Sequence, residues 1–434
     1  MKQKIAFILI LVIALSSLSF SQVKENHYDF LEEKTIDEWG ILALAIGGKK
    51  VEDLKVPPCG DSTITTDVEA YIIGELAKGN KDLLKVEQLY ASQLSTGKFP
   101  DYLNGTGEEL MNAHIWGILA LYAGNEGLKY PKKAKQWLLE QQLEDGSFPL
   151  FVGSRTGSLD LTGMALMALN TLGCTKDQEA IKKGFRYLEK NIRALESSEA
   201  LSWLILAKVV FQDDSRAPWV KALNAYQREN GYAHVALQSS GNYMATWHSV
   251  LALTDHEHNY SFLTHLRNQQ RYSDLALSTD YLESIYYLLE KEYLKGYPSG
   301  RFKPLQTMTR GEVAKVLVEV FDLDFVVADS SDFKDIERYW GKDYIQRAHK
   351  SGLIQGMTPE LFMPDKRITG AELAVILVRQ KGLVDQVSNK NNLQWYDGYL
   401  QTAQENDLLY EDFEATKAVT RGQVARGMYK YLTH

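Results

Sequence analysis

KAKQWLLEQQLEDGSFPLFVGSRTGSLDLTGMALMALN, residues 133–170, holds a helix, a turn and a second helix of different character. In the first, Ala134, Trp137, Leu138, Gln141 and Gln142 recur at three- and four-residue steps while lysines and glutamates occupy the rest. That periodicity predicts an amphipathic helix with one wet face. Asp145-Gly146-Ser147 reads as a turn in which Gly146 is free to take a positive φ, with Phe148 following as an apolar plug. The second helix, LTGMALMALNTLG from Leu161, has no charged residue and is rich in Ala and Gly. It is expected to be buried on every side, with Asp160 or Thr162 as its cap.

The same pair recurs along the chain. Helices of the buried kind start at Glu38, Asp67, Asn112, Asp160, Glu199 and Tyr243, and one-sided helices lie between them. Several of the latter end in a Gln ahead of a Gly turn: Gln93 with Gly97, Gln142 with Gly146, Gln227 with Gly231. Alternation of the two kinds implies two concentric layers, apolar helices inside and amphipathic ones outside. Small residues such as Gly40, Gly117 and Gly163 allow the inner axes to approach closely. The expectation for residues 22–270 is an all-α fold, an α/α toroid of about six inner and six outer helices.

Lys133-Ala134, Trp137-Leu138, Gln142, Gly146 and Phe148 resemble the QW-type repeat of squalene and terpenoid cyclases. The wider run resembles the prenyltransferase-like α/α toroids, especially the bacterial surface relatives of the transcobalamin barrel. The chemistry of the catalytic relatives has no counterpart here. There is no DxDD acid motif, and neither Cys59 nor Cys174 sits in the zinc-ligand pattern of the protein prenyltransferases. No metal or cofactor is expected, and no enzymatic activity. A corrinoid, which the transcobalamin relatives hold between the toroid and a following β domain, finds no β-rich segment here.

His114, Trp116, Trp203, Trp247 and His248 are the candidate pocket residues of the ring, for a ligand the sequence does not name. His114 by itself, on an apolar helix, reads as a satisfied core histidine. Asp213-Asp214 reads as a solvated turn, and Asp255, His256 and His258 as a surface loop. The opposing function class, a lyase or hydrolase acting on envelope glycans, needs a groove constellation such as His114, Tyr122 and His248. A purely structural spacer needs only a filled ring centre.

At 434 residues the chain exceeds the usual single domain, and its formal net charge of -8 argues against nucleic acid as a partner. MKQKIAFILILVIALSSLSFSQ places Lys2 and Lys4 before an apolar run and small residues after it, which reads as an export signal over residues 1–21. No later stretch is long enough to span a membrane. Cys59 and Cys174 either pair as one disulfide or are two buried thiols.

After Gln270 three units follow with another plan, residues 271–323, 324–383 and 384–434. Aromatic-x-Asp, Trp, Gly-x-x-x-Gly, Phe-x-Pro and a TRAE-like signature appear in order. Trp340 precedes Thr369 by 29 positions, whereas Trp395 precedes Thr420 by 25, so the last loop is shorter. This arrangement resembles a tandem of three S-layer homology repeats. The resemblance implies an extracellular, cell-wall or S-layer associated bacterial protein held non-covalently on a pyruvylated secondary cell-wall polysaccharide.

The signature divides into two parts. Thr309 with Glu312, Thr369 with Glu372, and Thr420 with Gln423 have the spacing of a capping box. Arg310 and Arg421 are not needed for a cap, and Gly370 replaces them in the second unit. A guanidinium fork matches a carboxylate bidentately, so the arginines are assigned to the pyruvate and Trp340 and Trp395 to the sugar faces. Asp280 stands in the tryptophan position of the first unit.

Overall fold

The computed structural model describes residues 23–434 apart from 35, 61, 196, 325–332, 388–393 and 434; the export-signal segment lies outside them. The chain divides into two compact units, residues 1–270 and 271–434.

In the first unit the all-apolar segments become α2 (Glu38–Ile46), α3 (Thr65–Ala77), α5 (Met111–Ala123), α7 (Leu159–Thr171), α9 (Ser198–Val210) and α11 (Tyr243–His258). Each packs on the next in that order, and α11 packs back on α2, which closes a ring of six. The amphipathic segments α1 (Glu25–Glu32), α4 (Leu83–Ser92), α6 (Pro131–Glu140), α8 (Glu179–Leu195) and α10 (Ala217–Asn224) lie outside it. They bury one stripe only: on α6, Ala134 and Leu138. On α9 nearly every side chain is buried. The one-sided and all-round hydrophobic patterns thus sort the helices into layers.

A last helix, α12 (Phe262–Arg271), starts beside the C-terminal end of α11. It reaches the C-terminal end of α5, on the opposite side of the ring, where the Arg267 guanidinium lies 4.3 Å from the Tyr122 ring centre. It therefore crosses one mouth of the ring. At the other mouth the inner helices begin. There Asp37, Ser158, Ser197 and Asn242 cap α2, α7, α9 and α11 by accepting a backbone N–H from Gly40, Leu161, Ala200 and Ala245. The cap of α7 is Ser158, not Asp160 or Thr162. Thr162 serves another bond: its Oγ1 accepts the Phe148 N–H at 2.9 Å.

In the first two of the Gln-Gly turns the Gln ties one outer segment to the next. Gln142 Nε2 donates to Gly146 O at 2.9 Å and to Ala180 O at the start of α8 at 2.8 Å. Gln93 Nε2 donates to Gly97 O, and its Oε1 accepts the N–H of Tyr130, the residue before α6. Gly146 has φ +92, and a Cβ there would lie 2.3 Å from Lys183 O, so the turn is seated directly on the neighbouring helix.

The second unit contains three helix pairs: α13 (Leu282–Glu290) with α14 (Arg310–Phe321), α15 (Lys342–Lys350) with α16 (Gly370–Gln380), and α17 (Asp397–Glu405) with α18 (Arg421–Thr433). Across units α14 packs on α15, α16 on α17 and α18 on α13, which is a cycle. Its centre is a triangle of backbone hydrogen bonds. Met308 N–H donates to Val419 O (3.0 Å), Val419 N–H to Ile368 O (3.0 Å) and Ile368 N–H to Met308 O (3.2 Å).

Candidate functional site

Each seam of the triangle carries a helix cap. Thr309 Oγ1 accepts the Glu312 N–H while Glu312 Oε2 accepts the Thr309 N–H, and Thr369 and Glu372 repeat the pair. Thr420 and Gln423 do the same with an amide oxygen.

The arginines stand elsewhere than a ligand-facing role requires. Arg310 and Arg421 are only 3% and 5% exposed. Arg310 Nε donates to Phe362 O (3.1 Å), Nη2 to Gln355 O, and Nη1 to Glu372 at 3.0 Å. Arg421 Nε donates to Phe302 O (2.9 Å) and Nη2 to Lys295 O (2.7 Å). Both guanidiniums stack 4.7 Å from a phenylalanine ring centre, Phe362 and Phe302. Assignment of these forks to a polymer carboxylate is corrected: each is turned into the loop of the next repeat around the cycle, where two of its nitrogens donate to backbone carbonyls and Arg310 Nη1 also pairs with Glu372.

The second repeat lacks this arginine, and the seam is rebuilt to match. Gly370 lies so close to the third loop that a Cβ would meet Glu414 O at 2.5 Å. That loop is the short one, and where Arg310 pairs with Glu372 and Arg421 has Glu312 nearby, this seam has the neutral Gln423. A glutamate there would be left without its cation.

The tryptophans are the exposed members of the motif. Trp340 is 59% and Trp395 63% exposed. Trp340 stands beside Tyr339, ring centres 5.3 Å apart, and Tyr339 is bonded to Thr309 and close to Glu312. Arg367, half-exposed, donates from Nη1 to Thr307 O (2.6 Å) and lies 4.0 Å from Glu312. An aromatic face and a partly open guanidinium therefore flank the same cap. Sequence reasoning passed over Arg367, because it precedes the TRAE-like signature rather than belonging to it.

Comparison with known proteins decides the family of this unit. The S-layer homology domain matches residues 271–314 and 332–374. The C-terminal unit carries S-layer homology repeats. The third segment shares their cap, helix pair and junction. The S-layer protein EA1 of Bacillus anthracis is 30% identical over 107 residues, 25% of this chain and 12% of that protein. The cellulosome-anchoring protein of Acetivibrio thermocellus is 32% identical over 123 residues, 25% of this chain and 28% of that one. The chain thus spans less than a third of the length of these relatives. It is a wall-anchored, extracellular bacterial surface protein. Among solved structures, protein geranylgeranyltransferase-I of Candida albicans aligns with 45% of this chain and 68% of its own, at a TM-score of 0.33 and 13% identity.

In the ring, the five pocket candidates separate. His114 faces the outer layer: its Nδ1 accepts the Phe99 N–H and its Nε2 donates to Ala134 O, both at 3.2 Å, with Trp137 against its edge. It does for Phe99 what Thr162 does for Phe148 and Thr246 for Tyr232. Burial depresses its pKa to about 3. Trp116, Trp203, His248 and Trp247 join the half-buried Trp39 in a closed circuit of rings, with neighbouring centres between 3.4 and 6.0 Å. His248 is clamped between two tryptophans, donates from Nδ1 to Met244 O at 2.8 Å, and is likewise held neutral, with a pKa of about 3. The circuit fills the ring centre, so Trp203, Trp247 and His248 are corrected from pocket to plug.

A cavity of about 470 Å³ lies beside that plug at the capped mouth, between α2, α3 and α5. Of the five candidates only Trp116 lines it; Trp39, Glu69 and Asn112 are residues sequence reasoning missed. Two further expectations change. Asp214 is exposed in a turn as expected, whereas its neighbour Asp213 is also anchored to the buried Lys208 at 2.6 Å. Asp255 lies within α11, buried, its Oδ2 accepting the Phe262 N–H, so the segment is helix and not loop. Both thiols are free, Cys174 buried and Cys59 at the cavity wall. Among the described residues no group of His, Cys, Asp or Glu is arranged to hold a metal, and no helix is long and apolar enough to cross a membrane.

Proposed function

We propose that the S-layer homology unit grips a pyruvylated secondary cell-wall polysaccharide and that the ring is displayed as a non-catalytic binding module. The observation that carries the first half is the exposure of Trp340 and Trp395, two large aromatic side chains in equivalent places at successive seams. Exposed indoles beside a polar cap suit the apolar faces of sugar rings, and Arg367 supplies a fork for a ketal carboxylate in place of the two buried arginines. That the Acetivibrio relative is a cellulosome-anchoring protein supports the same reading. The absence of catalysis rests on the two candidate histidines of the ring, His114 and His248. Both are bonded to backbone and neutral, and they occupy different surroundings instead of one groove.

The test uses purified wall polymer. Trp340→Ala with Trp395→Ala is expected to weaken binding about tenfold or more without loss of helicity, and Arg367→Ala to remove the preference for pyruvylated over depyruvylated polymer. Unchanged binding in the tryptophan pair overturns the assignment. Equal binding of the two polymers by the wild type overturns the carboxylate part. The plugged ring centre favours a second reading, a structural spacer, which leaves the cavity at the mouth without a role.

A further inference from the structure

The cavity at the capped mouth is lined by acids that divide into two kinds. Asp37, Glu38 and Asp67 stand at the cap or in the first turns of α2 and α3, where a negative charge complements the helix dipole. Asp37 is also occupied, since its Oδ1 accepts from Gly40 N–H and from the Tyr243 hydroxyl, and Asp67 accepts from Ser62. These acids have structural reasons to be there.

Glu69 does not. It lies on α3 beyond the first turn, is fully buried, and lines the cavity with neither carboxylate oxygen bonded to any described residue. Asn112, on the first turn of α5, lines the same cavity and adds a third unbonded buried oxygen. A buried polar atom without a partner destabilises a fold, so three such atoms around one cavity suit a ligand that brings hydrogen-bonding groups of its own. The remaining wall is aromatic: Trp39 and Trp116, ring centres 4.5 Å apart and tilted by 60°. Aromatic faces attract cations, and a cavity near 470 Å³ falls within the range of small-molecule sites, about 300–1,000 Å³.

We propose that this cavity binds a small organic cation of the primary-ammonium class, its N–H groups donating to Glu69 and Asn112 and its charged end lying against Trp39 and Trp116. A quaternary ammonium satisfies the tryptophans and leaves the oxygens unbonded; a neutral polyol satisfies the oxygens and gains nothing from the rings. The primary ammonium meets both. Burial holds the Glu69 carboxyl well above the usual carboxylate range, so an arriving ammonium displaces a proton to solvent as the carboxylate forms. The proposal rests on reading the ring as a binding module.

The test is calorimetry on the full chain with methylamine, lysine amide and 1,5-diaminopentane, and with 1,5-pentanediol as the uncharged isostere, in two buffers of different ionisation enthalpy. Saturable binding of at least one amine is expected, with proton release and no binding of the diol. Glu69→Gln, nearly isosteric, is expected to weaken the amine about tenfold or more and to abolish the proton release; Trp39→Leu is expected to weaken it with the proton release kept. Failure of all three amines to bind, binding of the diol as tight as the amine, or unchanged affinity in Glu69→Gln overturns the proposal. Wall attachment is scored separately on polymer: amine binding without polymer binding sinks the anchor alone, and the reverse sinks the cavity alone.

Discussion

Arg310 shows what a motif residue can be for. Its guanidinium closes the first seam by bonding two carbonyls of the next repeat and Glu372, all in a buried setting. Arg310→Ala leaves that carboxylate and those carbonyls unpaired, and the S-layer homology unit is expected to lose about 3 kcal/mol in urea unfolding. Polymer binding by the folded variant is expected to stay within about threefold of wild type. The converse result, intact stability and lost binding, restores the arginine to the ligand. The sequence supplied the residue and its absence at Gly370, but a signature does not reveal which way a side chain turns. The compensations at that seam, a short loop and Gln423, were both visible as letters; only the cyclic contact makes them one event.

His114 gives a second prediction at this scale. An imidazole with an ordinary pKa of 6.5 unfolded and about 3 folded takes up its proton in the unfolded chain first. Stability of the ring therefore falls as pH drops from about 6.5 toward 3, by up to about 1.4 kcal/mol per pH unit for each such histidine. Asp160, raised by burial from 3.8 to about 6, acts in the opposite sense between those values. The clean measurement is a difference: His114→Gln, which can still accept from Phe99 and donate to Ala134, is expected to flatten the acid limb by one proton relative to wild type.

Among elements, the Gln-Gly turns explain why the helix layers were legible from residues 133–170 alone. Periodicity reports burial, and burial sorts the layers. The turn's partner was not legible, because Lys183 and Ala180 belong to the following helix and no local pattern announces a seat. Gly146→Ala puts a Cβ at positive φ and into Lys183 O, and is expected to lower ring stability by about 2–3 kcal/mol. Gln142→Ala removes two hydrogen bonds and is expected to cost about 1–2 kcal/mol. Denaturant unfolding distinguishes a seated turn from a free one, in which both changes are near neutral. The extended α11 hid its own end for a related reason: Asp255 and His258 look like loop residues until Phe262 N–H is seen to need an acceptor.

At the scale of the molecule both units are closed circuits. The ring closes where the Tyr243 hydroxyl donates to Asp37 Oδ1 at 2.9 Å, joining α11 to α2 across 206 residues. Tyr243→Phe is expected to raise amide exchange in α2 and α11 ahead of α5 and α7; uniform exchange across the ring refutes a latch at this junction. Alternation of helix types implied two layers and a toroid; the structure adds the contact that closes it, which composition and period do not locate because it lies between the first inner helix and the last. The S-layer homology unit closes differently, through the triangle of Met308, Ile368 and Val419. In that triangle every repeat gives one N–H and takes one, so the number three is saturated. A fourth repeat added in tandem finds no open place, and two repeats leave one donor and one acceptor bare. A chain built on this plan counts its repeats in threes, unlike a solenoid, which grows one unit at a time.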